Sequence, residues 1–173
     1  MKTYAFVFAR GGSKGIPGKN ILPFAGKPML AWSIQMAKSI PEIERVFVST
    51  EDNRITKVAR EYGAELIERP AELAQDDTPE WLAWQHAVKL VQETIGDFDK
   101  LISLPTTSPL RNSADVLACL SALDEQTDTV VTITEASRSP WFNMVRIDDD
   151  GTLCLLLEGN KFRRQDVPEA YNM

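Results

Sequence analysis

A short segment near the amino terminus, residues 9–20, combines four glycines with three cations. Glycines let main-chain N–H groups come close to a ligand, and cations balance the charge on its oxygens. This combination suits a polyphosphate and predicts nucleotide binding, with an ordinary solvated turn as the alternative, because glycine and lysine are common in turns. The residues concerned are Arg10, Gly11, Gly12, Lys14, Gly15, Gly18 and Lys19. We call residues 9–20 the glycine loop.

The glycine loop differs from two well-known phosphate-binding motifs. A Walker loop ending at Gly18-Lys19 requires glycine at the position of Ser13, and serine or threonine at the position of Asn20. The dinucleotide-binding pattern G-x-G-x-x-G does not occur here. The type of nucleotide site therefore does not follow from either motif.

Alternating strand and helix patterns surround the glycine loop. Gly63 is expected to end the second helix, Thr78 and Ser113 to cap the third and fourth, and the fourth strand to lie inside the sheet. Predicted strands cover residues 4–8, 45–49, 64–68, 100–104 and 129–134, and predicted helices cover 28–39, 53–62, 78–94 and 113–123.

Such alternation predicts an α/β fold with a mostly parallel sheet covered by helices on both faces. Ligands of these folds bind at the carboxyl ends of the strands, where the glycine loop, residues 49–52 and residues 105–111 are expected to converge. Farther along, residues 143–147 and 152–157 read as a small β-hairpin around an Asp-Gly turn. We interpret the three aspartates of that turn as solvated and assign them no chemistry.

Composition limits the classes of function. A chain of 173 residues suits one domain, and its net charge of −6 argues against nucleic-acid binding, which needs a positive surface. Neither a signal peptide nor an apolar run of membrane-spanning length is visible, so we expect a cytoplasmic protein without a membrane partner. Cys119 and Cys154 are predicted to be buried free thiols.

Three other residues could attract a chemical interpretation. His86, the only histidine, lies in a predicted helix among apolar residues and is expected to pack there rather than act as a base. Glu51 and Asp52 follow the second strand, where they could approach a metal ion. Capping of the next helix by Asp52 explains the pattern equally well.

Beyond composition, five ordered motifs resemble those of the acylneuraminate cytidylyltransferase family, the CMP-sialic acid and other CMP-nonulosonic acid synthetases. The resemblance spans essentially the whole chain, and the ordered combination is specific. The motifs are Ala-Arg-Gly-Gly-Ser-Lys-Gly-Ile-Pro-Gly-Lys-Asn at 9–20, Val-Ser-Thr-Glu-Asp at 48–52, Glu-Arg-Pro-Ala-Glu-Leu-Ala at 68–74, Pro-Thr-Thr-Ser-Pro-Leu-Arg at 105–111 and Arg-Gln-Asp-Val-Pro-Glu-Ala-Tyr at 164–171.

This resemblance implies a Rossmann-like, three-layer nucleotidyltransferase fold. The implied reaction is attack by the anomeric hydroxyl of a 2-keto sugar acid on the α-phosphate of CTP, giving a CMP-sugar and pyrophosphate. It also implies Mg²⁺, with ligands beyond residue 173, and a homodimer of the full-length protein. We therefore expect residues 1–173 to form a single nucleotidyltransferase domain that lacks the carboxyl-terminal part of the family's domain.

The resemblance also suggests roles for individual residues. Arg10 and Lys19 are expected to stabilise the triphosphate. For Arg69, at the family's cytidine site, a surface position is the alternative, and for Asn20 a turn or capping role. The predicted nucleotide-binding residues are Ala9, Gly11, Gly12, Ser13, Lys14, Asn20, Arg69 and Thr78. The predicted substrate-binding residues are Thr106, Thr107, Ser108, Arg111, Asn143 and Arg164.

Two departures leave the acceptor open. Pro105 stands where many sialic-acid-activating members have glutamine, and residues 140–143 lack a lysine that some members carry. An aromatic side chain such as Trp141 or Phe142 can stack on a sugar but cannot neutralise a carboxylate. The alternatives are another sugar nucleotidyltransferase, such as a 3-deoxy-octulosonate cytidylyltransferase, and a non-catalytic nucleotide-binding module.

Overall fold

The computed structural model describes residues 1–157 and 163–173. These residues divide into two compact units, Met1–Leu117 and Ala118–Met173. The prediction of a single domain over residues 1–173 stays a prediction, because compactness alone does not show whether a unit folds by itself.

The first unit alternates strands and helices nearly as the sequence predicts. Its last helix continues into the second unit. The elements in chain order are β1 (Thr3–Phe8), β2 (Pro23–Phe24), β3 (Lys27–Pro28), α1 (Met29–Lys38), β4 (Arg45–Thr50), α2 (Asn53–Glu61), β5 (Glu65–Glu68), α3 (Glu80–Thr94), β6 (Lys100–Ser103) and α4 (Ser113–Ala122).

Four parallel strands form the central sheet in the order β5-β4-β1-β6. Phe6 of β1 lies in register with Phe47 of β4 on one side and with Ser103 of β6 on the other. The predicted parallel sheet is therefore confirmed. The interior position predicted for the fourth strand is wrong: β6 is an edge strand among the described residues, and its four residues are only half-buried.

Helices cover both faces of this sheet. On one face Phe6 and Phe47 stack with ring centroids 5.2 Å apart, and Ala87 and Val91 of α3 pack in the same buried cluster. Because side chains alternate along a strand, Val7 points to the other face, where α1 and α2 contact the sheet. Burying a side chain such as Phe6 contributes about 1.5–3 kcal/mol. These layers hold the strand ends in fixed positions.

Helix ends show where local reasoning succeeds and where it fails. Gly63 follows α2 with φ 74°, as expected of a helix-ending glycine. The Thr78 cap is wrong: Pro79 precedes the first residue of α3, and the Thr78 hydroxyl donates instead to the Glu72 carbonyl at 2.9 Å.

The predicted Ser113 cap is wrong as well. Asn112 precedes α4, and its Oδ1 accepts a hydrogen bond from the Asp115 main-chain N–H at 3.0 Å. The Asp115 carboxylate in turn accepts from the Asn112 N–H at 3.1 Å. This reciprocal pair is a capping box shifted by one residue from the prediction.

In the second unit, β8 (Val145–Ile147) and β9 (Leu153–Leu155) form the predicted hairpin. A strand over residues 129–134 is wrong: only β7 (Thr134–Glu135) forms, paired with β10 (Tyr171–Asn172). Residues 129–133 have strand composition, but a strand also needs a paired backbone, and none of the described residues supplies one there.

Two observations bear on the environment of the protein. Cys119 and Cys154 are free, as predicted, but they are half-buried rather than buried. Among the helices of the described residues, none combines the length and the apolar character needed to cross a membrane.

Candidate functional site

Three loops of the first unit meet at the carboxyl edge of the sheet. The Ala9 N–H donates to the Ser49 carbonyl at 3.1 Å, which joins the ends of β1 and β4. After β6, the Thr106 hydroxyl donates to Oδ1 of Asn20 at 2.7 Å. The predicted convergence of the glycine loop with the loops after β4 and β6 is confirmed.

Two cations of the glycine loop share one acidic partner. Arg10 Nη2 lies 3.0 Å from Oδ1 of Asp76, and Lys14 Nζ lies 2.8 Å from Oδ2 of the same carboxylate. Arg10 Nη1 also donates to the Gln75 carbonyl at 3.0 Å. Lys14, and then Arg10, hold the pKa of the Asp76 carboxyl below its usual value. These ion pairs are solvent-exposed, so phosphate oxygens can replace Asp76 at little cost.

The end of the glycine loop is more tightly held. Gly18, with φ 67°, precedes a single 3₁₀ turn, Lys19–Ile21, in which Lys19 is half-buried and Asn20 is buried. Asn20 Nδ2 donates to the Arg10 carbonyl at 2.9 Å. Asn20 thus links the start of the loop to its end, which goes beyond the turn or capping role that was the alternative to nucleotide binding.

Arg69 is buried, so its interpretation as a surface residue is wrong. Its Nε donates to the Ser49 hydroxyl at 3.1 Å and its Nη2 to the Ser49 carbonyl at 2.7 Å. Burial lowers the pKa of the Arg69 guanidinium, and attraction by Glu51 opposes that effect. The guanidinium carbon also lies 5.9 Å from the Phe8 ring centroid, within cation–π range.

Glu51 and Asp52, which follow β4, make hydrogen bonds to the glycine loop and to the start of α2, respectively. Glu51 Oε1 accepts the Gly11 N–H at 2.7 Å, so an anionic oxygen already occupies one main-chain donor of the loop. Asp52 caps α2 by accepting the Arg54 N–H at 2.7 Å, as one of the two interpretations of the sequence expected. A side-chain hydrogen bond from Arg54 also lowers the pKa of the Asp52 carboxyl.

Residues 105–111 contribute one buried and several exposed groups. Thr106 is only 5% exposed and its hydroxyl is bound to Asn20, whereas Thr107 and Ser108 are exposed. Arg111 Nη2 donates to the Pro105 carbonyl at 3.3 Å, and burial lowers the pKa of its guanidinium. Of the predicted substrate residues on this loop, Thr106 is therefore buried and Arg111 is half-buried, with its Nη1 out of contact with solvent.

The remaining predicted site residues stay predictions. Gly12 is exposed, and Ser13 donates its N–H to the Gly11 carbonyl at 3.1 Å. Asn143 belongs to the second unit, where its Oδ1 accepts the Ser139 N–H at 2.6 Å. The backbone of Arg164 begins a 3₁₀ turn in that unit, and its side chain lies outside the described structure.

Sequence reasoning missed two residues of the site. Asp76 pairs with the loop cations, but its place in a polar segment gives no signal for a partner so far away in the chain. Trp84 stacks on Phe8 with ring centroids 5.4 Å apart, and the Arg69 guanidinium carbon lies 5.9 Å from the centroid of the same Phe8 ring. The apolar side predicted for α3 does not include Trp84, and nothing in the local sequence indicates that it packs against Phe8. Within residues 1–157 and 163–173, no group of three or more acidic, histidine or cysteine side chains could hold a metal ion.

Comparison with known proteins gives a consistent result. The family model described as cytidylyltransferase matches residues 4–144. The chain is 35% identical to the post-translational flagellin modification protein B of Campylobacter coli, over 96% of this chain and 72% of that protein. It is also 35% identical to the CMP-N,N'-diacetyllegionaminic acid synthase of Campylobacter jejuni, with the same two coverages.

A similar solved structure is CMP:2-keto-3-deoxy-manno-octonic acid synthetase complexed with CTP. It superposes with a TM-score of 0.59 at 23% identity, covering 78% of this chain. The chain spans 52% of the length of that structure. At 23% identity, this similarity is evidence of a shared fold alone.

Proposed function

Because this chain belongs to the cytidylyltransferase family, we propose that it transfers CMP from CTP to the anomeric hydroxyl of a 2-keto sugar acid. The observation that carries the proposal is the pairing of Arg10 and Lys14 with the exposed carboxylate of Asp76. Two cations converge there on one replaceable anion, and binding of a triphosphate needs such a concentration of positive charge.

In the proposed reaction the sugar hydroxyl oxygen forms a bond to the α-phosphorus of CTP. The bond from that phosphorus to the bridging oxygen breaks, pyrophosphate leaves with the bonding electrons, and the hydroxyl proton passes to solvent. Arg10 and Lys19 stabilise charge on the phosphate oxygens, and the loop holds the triphosphate in line with the acceptor. We assign the cytidine end to Arg69, whose guanidinium is held by two bonds to Ser49.

The proposed acceptor is a nonulosonic acid, a nine-carbon 2-keto sugar acid. The Campylobacter jejuni relative, whose name states that it makes CMP-N,N'-diacetyllegionaminic acid, supports this choice. Arg111 on the loop after β6 offers a guanidinium for the acceptor carboxylate, a pairing that can be bidentate. Thr107 and Ser108 are exposed on the same loop and can donate to sugar hydroxyls.

Mg²⁺ is part of the proposal, since it commonly neutralises charge on transferring phosphates. The described residues include no cluster that fits it, so we derive no step through the ion.

We further propose a homodimer and a cytoplasmic location. The β8–β9 hairpin carries four apolar side chains on one exposed face, suited to cover by a second copy. These are Val145, Ile147, Leu153 and Leu155. The two free cysteines suit a reducing compartment. Equilibrium sedimentation of Ile147→Lys against the parent chain tests the dimer: the variant should be monomeric at concentrations where the parent is dimeric.

The test of the reaction is pyrophosphate release from CTP and Mg²⁺ with a panel of acceptors. The panel contains N-acetylneuraminate, N,N'-diacetyllegionaminate, a deaminated nonulosonate and 3-deoxy-octulosonate. It is applied to this chain and to a longer form that matches its relatives in length. We expect turnover with one nonulosonate, lost in Arg10→Ala and retained in Arg45→Ala. Arg45 is a half-buried arginine at the amino end of β4, where it pairs with Glu65.

Turnover only with 3-deoxy-octulosonate would replace the proposed acceptor. CTP binding without turnover in either form would favour a nucleotide-binding module. Absence of both binding and turnover would contradict the proposal.

A further inference from the structure

We propose that Thr106 is a positioning residue for the nucleotide site: acting through Asn20, its hydroxyl holds the two ends of the glycine loop together. The inference rests on the proposed function. It gives Thr106 a task other than the predicted contact with the acceptor sugar.

A chain of two short hydrogen bonds carries the inference. The Thr106 hydroxyl donates to Oδ1 of Asn20 at 2.7 Å, and Nδ2 of Asn20 donates to the Arg10 carbonyl at 2.9 Å. Thr106 is 5% and Asn20 6% exposed, so water does not substitute readily for either partner. Loss of one bond would therefore leave a buried polar group without a partner.

The direction of these bonds explains why a hydroxyl is needed at position 106. An asparagine amide has an oxygen that only accepts and a nitrogen that only donates. Because the Thr106 hydroxyl donates, it fixes the oxygen of Asn20 toward itself and thereby aims the nitrogen at the Arg10 carbonyl. Without that donor only the Arg10 carbonyl still favours this orientation, and Oδ1 of Asn20 is left buried without its partner.

Arg10 and Asn20 stand at the two ends of the glycine-rich segment, and Lys19 directly precedes Asn20. Fixing both ends reduces the conformational entropy that the loop loses when it closes around a ligand. The same link sets the backbone positions of Arg10 and Lys19, the two residues proposed to stabilise the triphosphate. Thr106 therefore acts on nucleotide affinity without touching the nucleotide.

Thr106 is itself anchored by its neighbour. The Pro105 carbonyl accepts hydrogen bonds from Nη2 of Arg111 at 3.3 Å and from the Ser33 hydroxyl at 3.4 Å. Ser33 lies in α1 and is buried. The loop after β6 is thus tied to the layer of helices and can serve as a fixed point for the glycine loop.

The experiment compares Thr106→Val, which removes the hydroxyl at nearly constant shape, with Thr106→Ser, which keeps it. Thr3→Val is the matched control, because Thr3 is also 5% exposed but lies at the amino end of β1. Two quantities are measured on each chain: hydrogen exchange of residues 11–18 without nucleotide, and the Kd for CTP by calorimetry.

We expect Thr106→Val to speed exchange of residues 11–18, because the free loop then opens. The Kd for CTP should rise about tenfold, because binding must order the loop again at the cost of roughly one buried hydrogen bond. In Thr106→Ser and Thr3→Val the Kd should stay within about threefold of the parent value, since both variants keep a hydroxyl at position 106 to bond Asn20. The serine rescue separates positioning from a general loss of packing.

Three outcomes would overturn the inference: unchanged exchange and Kd in Thr106→Val, an equal loss in Thr106→Ser, or a rise confined to the acceptor KM. The last would assign Thr106 to the acceptor. If the parent chain bound no CTP, the proposed function would fail, while hydrogen exchange without nucleotide would still decide whether Thr106 orders the loop.

Discussion

Lys14 Nζ lies 2.8 Å from Oδ2 of Asp76, and this contact places an acid of the chain where the proposed triphosphate must bind. The same carboxylate also forms an ion pair with Arg10, whose Nη2 lies 3.0 Å from Oδ1. Asp76 therefore competes with CTP for both cations. The competition is weak, because these side chains are exposed and salt screens them.

We expect Asp76→Asn to lower the Kd for CTP by about threefold at low ionic strength, because the variant no longer offers the cations a competing charge. The gain should shrink in about 0.5 M salt, where the Debye length is short. Asp77→Asn, an exposed neighbour, is the control and should change the Kd much less. Calorimetry at two salt concentrations makes the comparison, and weaker binding in Asp76→Asn would show that Asp76 aids the nucleotide instead.

Gly11→Ala should destabilise the chain, because a Cβ at Gly11 would overlap the Asp52 side chain. Either the loop or the cap of α2 must then move, and we expect a loss of about 1–3 kcal/mol in the free energy of unfolding. Gly15→Ala is the matched control, since a Cβ there meets nothing within 4 Å. Urea unfolding of both variants tests this, and equal stabilities would mean that the loop does not pack against Asp52.

Arg69→Lys should weaken both folding and CTP binding. Lysine cannot reproduce the two directed bonds that the guanidinium makes to Ser49, so we expect about 1–3 kcal/mol less stability. The Kd for CTP should rise at least tenfold, while Arg60→Lys on the exposed side of α2 serves as the control. A variant that lost stability but bound CTP normally would remove Arg69 from the site.

The Asp52 cap gives a prediction for pH. Its folded-state pKa is lowered from 3.8, chiefly by the side-chain hydrogen bond from Arg54, so its stabilising effect is present above about pH 4. That effect is lost as the pH falls through the lowered pKa. Asp52→Ala should therefore cost about 1 kcal/mol at pH 7.

As the pH falls through the lowered folded-state pKa, the difference between the parent chain and Asp52→Ala should shrink. Denaturant unfolding across this range provides the measurement, with Asp77→Ala as a control for loss of an exposed carboxylate. A difference that does not vary with pH would mean that the Asp52 charge contributes nothing to stability.

Local pattern was enough to predict most of the first unit. The apolar runs before the glycine loop and before Ser49 became β1 and β4, since buried parallel strands have continuous apolar sequences. Pairing was harder to predict. Residues 129–133 resemble a strand as strongly as β6 does, but only position relative to other strands decides which run joins the sheet.

The candidate site also has some features that the sequence predicts and others that it does not. That the glycine loop and residues 49–52 converge follows from the parallel sheet, and the structure confirms it through the bond from Ala9 to Ser49. The roles of Asp76 and Thr106 depend on where distant loops cross and on which side chains turn inward. Thr106 was expected to face a sugar, and nothing in the local sequence indicates that Asn20 binds its hydroxyl instead.

The central claim is the transfer of CMP to a sugar acid, and ³¹P NMR of a reaction with CTP, Mg²⁺ and N,N'-diacetyllegionaminate observes it directly. We expect the three CTP resonances to be replaced by pyrophosphate and a single phosphodiester, only when the sugar acid is present, and not in Arg10→Ala. If CTP instead yielded free CMP, or persisted unchanged with every acceptor in both this chain and a longer form, the account would be contradicted.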